Sequence, residues 1–377
     1  MKLFDVYPLY NITPTSGKGA YIYDENELKY LDLYGGHAVI SVGHSHPTYV
    51  QKLQDQLGKI SFYSNAVQNP LQVALADKLK EFSPCKEHQL FLCNSGAEAN
   101  ENALKLASFH NGKKTVLAFK NGFHGRTSAA VAATDNPKIT APLNQQQEVV
   151  FCDFGNLTEV EEAFNQHAIC AVIFETIQGV GGLEEATSDF YQRLASLCKE
   201  HNSILIADEV QSGFGRTGDF FAFEKHHITP DIITIAKGMG NGFPVGGVLI
   251  SPQIKASYGL LGTTFGGNHL ACTASLAVLE IMASENLLTQ VQKMSDYLIA
   301  QVQTIPEVKH IKGRGLMLGL EFNFPISKLR KQLIEHQQVF TGSSKNPHLL
   351  RILPPYCIGH EEIDLFIQKL KSELKNL

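Results

Sequence analysis

The chain lacks the features that suit a protein to nucleic acid or to a lipid bilayer. Of its 377 residues, 32 are Lys or Arg and 37 are Asp or Glu, giving a net charge of -5. There is no basic surplus to neutralise a phosphate backbone, which argues against a nucleic-acid partner. No stretch approaches the roughly 20 consecutive apolar residues of a membrane helix. The opening MKLFDVYPLYNITPTSGKGA has no apolar core of the secretory kind. The seven cysteines are odd in number, and none forms a CxxC pair. Several sit inside apolar runs, which reads as buried free thiols in a reducing compartment. The cytoplasm is therefore the expected location, and no metal site is expected. No internal repeat or low-complexity linker appears. No GxGxxG follows an early strand, so the usual dinucleotide loop is missing.

What is present is ordinary globular composition, with 44% hydrophobic and 18% charged residues. The length suits about two domains. From about residue 70 two patterns alternate. Leu71, Leu75, Leu79 and Phe82 recur at helical spacing. Short apolar runs read as strands: LFLC from Leu90, TVLAF from Thr115, AVIF from Ala171, SILIA from Ser203, IITIA from Ile232 and GGVLI from Gly246. Amphipathic stretches such as DFYQRLASLCKEHN from Asp189 lie between them. Strands alternating with helices predict an α/β fold with a mostly parallel sheet flanked by helices. From about His269 one long helical stretch runs to about Gln303. KGRGLMLGLEF follows as a turn and a strand, and an amphipathic tail closes the chain. The expected division is a large domain over 51–268, then 269–377 as a linking helix and the C-terminal part of a smaller α+β domain that 1–50 completes, since chain ends often meet.

In a parallel α/β sheet, ligands bind beyond the carboxyl ends of the strands. Three of the predicted strands end on chemistry. Asn94-Ser95-Gly96-Ala97 follows the first, Asp208 ends another, and Lys237-Gly238 follows a third. Each has a plainer reading alone: a helix cap at Ser95, a cap or ion pair at Asp208, a lysine emerging to solvent at position 237. Together they match what pyridoxal phosphate (PLP) requires. Amides at a helix start cradle a phosphate. A carboxylate keeps a heteroaromatic nitrogen protonated. A lysine whose pKa is lowered by burial supplies the neutral amine of a Schiff base.

These residues resemble the class III (ω-amino-acid) aminotransferases of PLP fold type I, and the resemblance covers nearly the whole chain. It is carried by YLDLYGGHAVISVGHSHP from Tyr30, NSGAEANENALKLA from Asn94, NGFHGRT from Asn121, DEVQSGFGRTG from Asp208 and AKGMGNGFPVGG from Ala236. TTFGGNHLACTASLAVL from Thr263, RGLMLGLEF from Arg314 and RILPPYCIGHEEID from Arg351 complete it. The resemblance implies that Lys237 is the catalytic, cofactor-bearing lysine and Asp208 the partner of the pyridine nitrogen. Val210 and Phe123 then pack on the two ring faces, and Gln211 meets the phenolic oxygen. Ser95, Gly96 and Ala97 hold the phosphate. Thr264 reaches the phosphate of a neighbouring subunit, which implies a homodimer with shared active sites. Arg126 matches the arginine for an acylornithine α-carboxylate. Arg351 matches the arginine for glutamate or 2-oxoglutarate, and a guanidinium fork suits that task. Glu175 shapes the site. His124 is expected to orient a neighbour rather than act as the acid–base group.

Two stretches depart from the family pattern. Val180, in Gln178-Gly179-Val180-Gly181-Gly182, stands where the family carries a glutamate that pairs with the arginine matching Arg351. Either Arg351 then stays available for a carboxylate in both half-reactions, or Glu184 or Glu185 is a substitute. FYSNAVQNPLQ from Phe62 carries a shifted aromatic lining, which often shapes a substrate mouth. The activity implied is transfer of the δ-amino group of an acylated ornithine to 2-oxoglutarate, with an acetyl or a succinyl acyl group. Ornithine or 4-aminobutyrate as donor, an aminomutase or decarboxylase on the same fold, and a PLP-binding protein without activity are the alternatives.

Overall fold

The computed structural model describes residues 1–376. Fourteen strands form three sheets. The central sheet has seven: β4 (Gln89–Cys93), β5 (Thr115–Phe119), β6 (Val149–Cys152), β7 (Ile169–Phe174), β8 (Ile204–Asp208), β9 (Ile232–Ile235) and β10 (Gly246–Ile250), in the order β4-β10-β9-β8-β7-β5-β6. Only β10 runs antiparallel to its neighbours. The mostly parallel α/β expectation holds. Its central strands are apolar but for Asp208 and Thr234 because both faces are covered: every residue of β7, β8 and β9 is buried. Strand β6 went unread in the sequence. It is a four-residue edge strand, three of them only partly buried, so VVFC carries little signal.

Three strands near the start, β1 (Pro14–Lys18), β2 (Tyr21–Asp24) and β3 (Lys29–Asp32), form a second sheet that β13 (Val339–Phe340) closes by pairing with β3. The third sheet holds β11 (Val308–Arg314), β12 (Met317–Phe322) and β14 (Leu349–Ile352). KGRGLMLGLEF is thus a hairpin between β11 and β12.

The helices of eight or more residues are α1 (Pro47–Leu57), α2 (Pro70–Phe82), α3 (Gly96–Asn111), α4 (Leu157–Gln166), α5 (Ser188–Glu200), α6 (His269–Ser284), α7 (Leu287–Val302), α8 (Ser327–Glu335) and α9 (His360–Leu374). The single long helix expected after His269 is two helices bent by 67°. Asn286 takes a left-handed φ of 52° there, which ends one helix and starts the next. Among the described residues, no single helix is long and apolar enough to cross a membrane. Six of the seven free cysteines are buried, but Cys357, in the turn before α9, is exposed.

A buried acid ties the chain after β8 to its surroundings. The Glu209 carboxylate accepts from Thr176 Oγ1 at 2.9 Å, Ser212 Oγ at 2.7 Å, Ala222 N at 3.0 Å and Phe223 N at 3.1 Å. Burial pushes its pKa from 4.5 to about 7, against those bonds. A raised folded value means a contribution to stability that is full below the unfolded value and lost as pH rises through about 7. The wild-type advantage in Tm over Glu209→Gln is therefore expected to be larger near about pH 5.5 than near about pH 8. Equal differences at both would contradict the raised pKa.

Candidate active site

The parallel strands end on one edge of the sheet. The segments beyond them enclose a cavity of about 450 Å³. Strand β4 runs into Asn94, Ser95, Gly96 and Ala97, which line it. Ser95 is the N-cap of α3, its Oγ accepting from Glu98 N at 3.2 Å. The cap reading of Ser95 is thus correct, and it has a consequence at the cavity. Gly96 and Ala97 open the helix, so their N–H groups have no intrahelical acceptor. A Cβ on Gly96 would fall 2.6 Å from Cγ1 of Val210, so only glycine fits that wall.

Asp208 is buried at the end of β8. Its Oδ2 accepts from Asn100 Nδ2 at 2.7 Å and His124 Nδ1 at 2.8 Å, and its Oδ1 from Val210 N at 3.1 Å. Three contacts thus converge on this one carboxylate. His124 is buried against this carboxylate, an orienting contact. Sequence reasoning passed over Asn100. Its amide also donates to the His124 carbonyl at 2.7 Å, and its Oδ1 accepts from Thr234 Oγ1 at 2.6 Å. The available signal was one asparagine on the alanine-rich buried face of α3, beside Ala99, Ala103 and Leu104.

Lys237 follows β9 at a left-handed φ of 46°, an uncommon conformation for a side-chain-bearing residue. The segment before α1 clamps the turn that imposes it. Ser41 Oγ donates to the Gly238 carbonyl at 2.7 Å, and Asn241 Oδ1 accepts from Ser41 N at 2.9 Å and Val42 N at 3.1 Å. Tyr49 Oη donates to the Gly240 carbonyl at 2.6 Å. Burial pulls the Lys237 amine below the ordinary lysine range, with Arg351 acting in the same sense and Asp208 and Glu175 opposing. No ion pair or hydrogen bond engages the Lys237 amine among the described residues.

Glu175, Phe123, Val210 and Gln211 also line the cavity. Burial pushes the Glu175 carboxyl up, while Phe123 N and Gly179 N donate to its oxygens, each at 2.9 Å. Arg351 is buried behind Gln211. Val180 lines the cavity and offers Arg351 no charge. The suggestion that Glu184 or Glu185 replaces the missing glutamate is wrong. Glu184 pairs with Lys312 at 2.5 Å, and Glu185 with Arg314 and His226, each at 3.0 Å.

Arg126 is exposed at the cavity and makes no ion pair among the described residues. Thr264 is exposed and stands away from the cavity of its own chain. The stretch from Phe62 does not line that cavity either. Phe62 packs against Phe265 with ring centroids 5.4 Å apart, and Asn65 Nδ2 donates to the Gly266 carbonyl at 3.0 Å.

The residue set fits PLP: open amides at a helix start, a buried carboxylate with its own hydrogen-bond partners, and a lysine amine without a partner between them. Fold and site together define a PLP-dependent enzyme. The Aminotransferase class-III family matches residues 6–374, and the chain belongs to that family. The acetylornithine aminotransferase of Bacillus subtilis (strain 168) is 38% identical over 99% of this chain and 97% of its own length. That of Aquifex aeolicus (strain VF5) is 37% identical, covering 95% and 96%. Among solved structures, the N-acetylornithine aminotransferase of Stenotrophomonas maltophilia K279a superposes with a TM-score of 0.82 at 30% identity, covering 98% of this chain and 97% of that one. The ornithine aminotransferase of Toxoplasma gondii ME49 gives 0.88 at 25%, covering 98% and 93%.

Proposed function

We propose that this protein transfers the δ-amino group of N-acetylornithine to 2-oxoglutarate, giving N-acetylglutamate semialdehyde and glutamate in arginine biosynthesis. The carrying observation is a single cavity that holds a lysine shifted toward its neutral form, with one exposed guanidinium and one buried guanidinium beside it. Two carboxylate-bearing substrates taking turns need that arrangement. The curated relatives named above support the acyl-amine donor.

In this reading Lys237 holds the cofactor and later moves the proton. Asp208 faces the ring nitrogen, Phe123 and Val210 pack on the ring, and Gln211 meets the phenolic oxygen. Ser95, Gly96 and Ala97 take the phosphate. When bound, PLP supplies a carbonyl that exchanges amines and a cationic ring that draws electrons from the carbon being deprotonated. Arg126 orients the donor's α-carboxylate, Arg351 the acceptor's, and Glu175 fixes the wall between them. Residues 1–50 join the C-terminal small unit, which the helix starting at His269 links to 51–268, and the β3–β13 pairing supports that division. Thr264 serves a second copy in a homodimer. The exposed apolar side chains of Phe62, Tyr63 and Phe265 beside it support such a face. Seven free cysteines support a reducing, cytoplasmic location.

Val180 favours one second reading, N-succinylornithine as donor, because an unpaired Arg351 accepts an extra carboxylate. The test offers both acylornithines, ornithine and 4-aminobutyrate in parallel with 2-oxoglutarate and measures glutamate. N-Acetylornithine is expected to win by about tenfold or more, and an ornithine or 4-aminobutyrate preference would sink the proposal. Arg126→Ala is expected to raise KM for the acylornithine by roughly tenfold to a hundredfold, with a smaller change for 2-oxoglutarate. Equal effects on both substrates would remove Arg126 from the donor site.

A further inference from the structure

Arg351 is buried and meets no carboxylate within ion-pair distance among the described residues. Its Nη1 donates to the Gly179 carbonyl at 2.7 Å and to Gln211 Oε1 at 3.4 Å, and its Nε has no partner. Gln211 is itself anchored, its Nε2 donating to the His37 carbonyl at 3.1 Å. Gly179 makes room for this amide, since a Cβ there would fall 1.9 Å from Gln211 Oε1.

The His37 carbonyl is presented by an unusual turn. Gly35, Gly36, His37 and Ala38 all have positive φ, between 55° and 68°. At His37 and Ala38 this conformation is strained and persists only where the surroundings impose it. Here Gly35 N donates to Asp32 Oδ1 at 2.8 Å, Arg216 Nη2 to the Ile40 carbonyl at 3.1 Å, and Tyr34 Oη meets the His37 ring.

The groups grouped about Arg351 are uncharged or positive. Burial, then Arg351, Lys237 and Arg330, pull the His37 imidazole down to about 4, so it stays neutral. Burial raises the Tyr34 phenol. Arg330 adds a second cation. Glu175 acts on Arg351 only from a distance, its oxygens taken by Phe123 N and Gly179 N.

We propose that Gln211 is a neutral latch on Arg351: its amide, anchored on the His37 carbonyl, holds the guanidinium at rest and gives way to a substrate carboxylate. Arg351 then receives that carboxylate without first breaking an ion pair, exchanging a long neutral contact for a charge-assisted one. Only the Oε1 contact to Arg351 is exchanged: Nε2 stays anchored on the His37 carbonyl and keeps its second hydrogen for the phenolic oxygen. The latch rests on the aminotransferase reading only for what the carboxylate belongs to.

The probe is glutarate, a dicarboxylate with neither amine nor keto group, titrated calorimetrically into PLP-loaded protein. Gln211→Glu turns the latch into an ion pair, and Val180→Glu puts a carboxylate on the residue next to Gly179. Both are expected to weaken glutarate by roughly tenfold or more. Val180→Gln, neutral and of the same length, is expected to stay within about threefold. Gln211→Leu removes the latch together with the contact to the phenolic oxygen, so it is titrated only once its absorbance shows full PLP loading, and it is then expected to bind glutarate at least as tightly as wild type. A change below about threefold in both Glu variants, or a loss of glutarate binding in Gln211→Leu, overturns the latch. Amino transfer by the wild type is scored separately. Its absence beside an intact glutarate response would sink the aminotransferase reading and leave the latch standing.

Discussion

Lys237→Ala is expected to lower turnover by on the order of 10⁴-fold or more, the largest effect of any single change at this site. The amine is the one group at the cavity that combines nucleophile and base. Its position favours the neutral form, because burial and Arg351 both disfavour the charge. Asp208 and Glu175 pull the other way, which keeps the amine able to accept a proton and return it. Alanine keeps the left-handed strain at φ 46° but removes the function. A fall in Tm is thus a separate matter from the fall in rate, and both should be measured. A small primary amine added to the variant is expected to restore part of the rate, since the truncated side chain leaves room beside the cavity. Turnover above about a tenth of wild type without added amine would remove Lys237 from the reaction.

Most of the large sheet was legible because its strands are buried on both faces and so read as unbroken apolar runs. TVLAF and GGVLI coincide with β5 and β10 residue for residue. The failures have local causes. Strand β6 is short, at the edge and partly wet. The break at Asn286 lies inside an apolar period that runs through it, and neither Gly nor Pro marks it. The residues after each strand were legible for the same reason as the strands, since topology alone brings Ser95, Asp208 and Lys237 to one edge. What surrounds them was not. Asn100 reads as an ordinary polar position until Asp208, 108 residues away, is placed against it. The latch joins Arg351, Gln211 and His37, which are 140 and 174 residues apart along the chain. They follow strands of, or lie in, three different sheets, and only the packing of those sheets brings them together. Glu184 and Glu185 looked available to Arg351 by sequence distance from Val180, but other cations hold them.

Asp208→Asn is expected to cost about 10²-fold to 10⁴-fold in turnover, which corresponds to the roughly 3–5 kcal/mol of breaking a buried charge pair from one side. The reason lies in the donor count. Oδ2 already takes two donors, from Asn100 and His124, and Oδ1 takes one, from Val210 N. An asparagine must keep its oxygen on the two-donor side. Its NH₂ then points where Oδ1 was, at the Val210 N–H and at whatever donor the ring nitrogen presents. Two donors face each other, and the protonated ring loses the charge that holds it so. The fold has less to lose, because the carboxamide keeps the two shorter contacts. Tm is therefore expected to change far less than turnover. Asn100→Ala serves as the comparison. It leaves the charge of Asp208 in place and removes one donor, so it is expected to cost only about tenfold in rate while weakening the fold by about 1–3 kcal/mol. The two variants should part company in sign of emphasis: rate for Asp208→Asn, stability for Asn100→Ala. If Asp208→Asn instead retains turnover within about tenfold of wild type, the carboxylate anchors β8 and His124 and does not hold the ring.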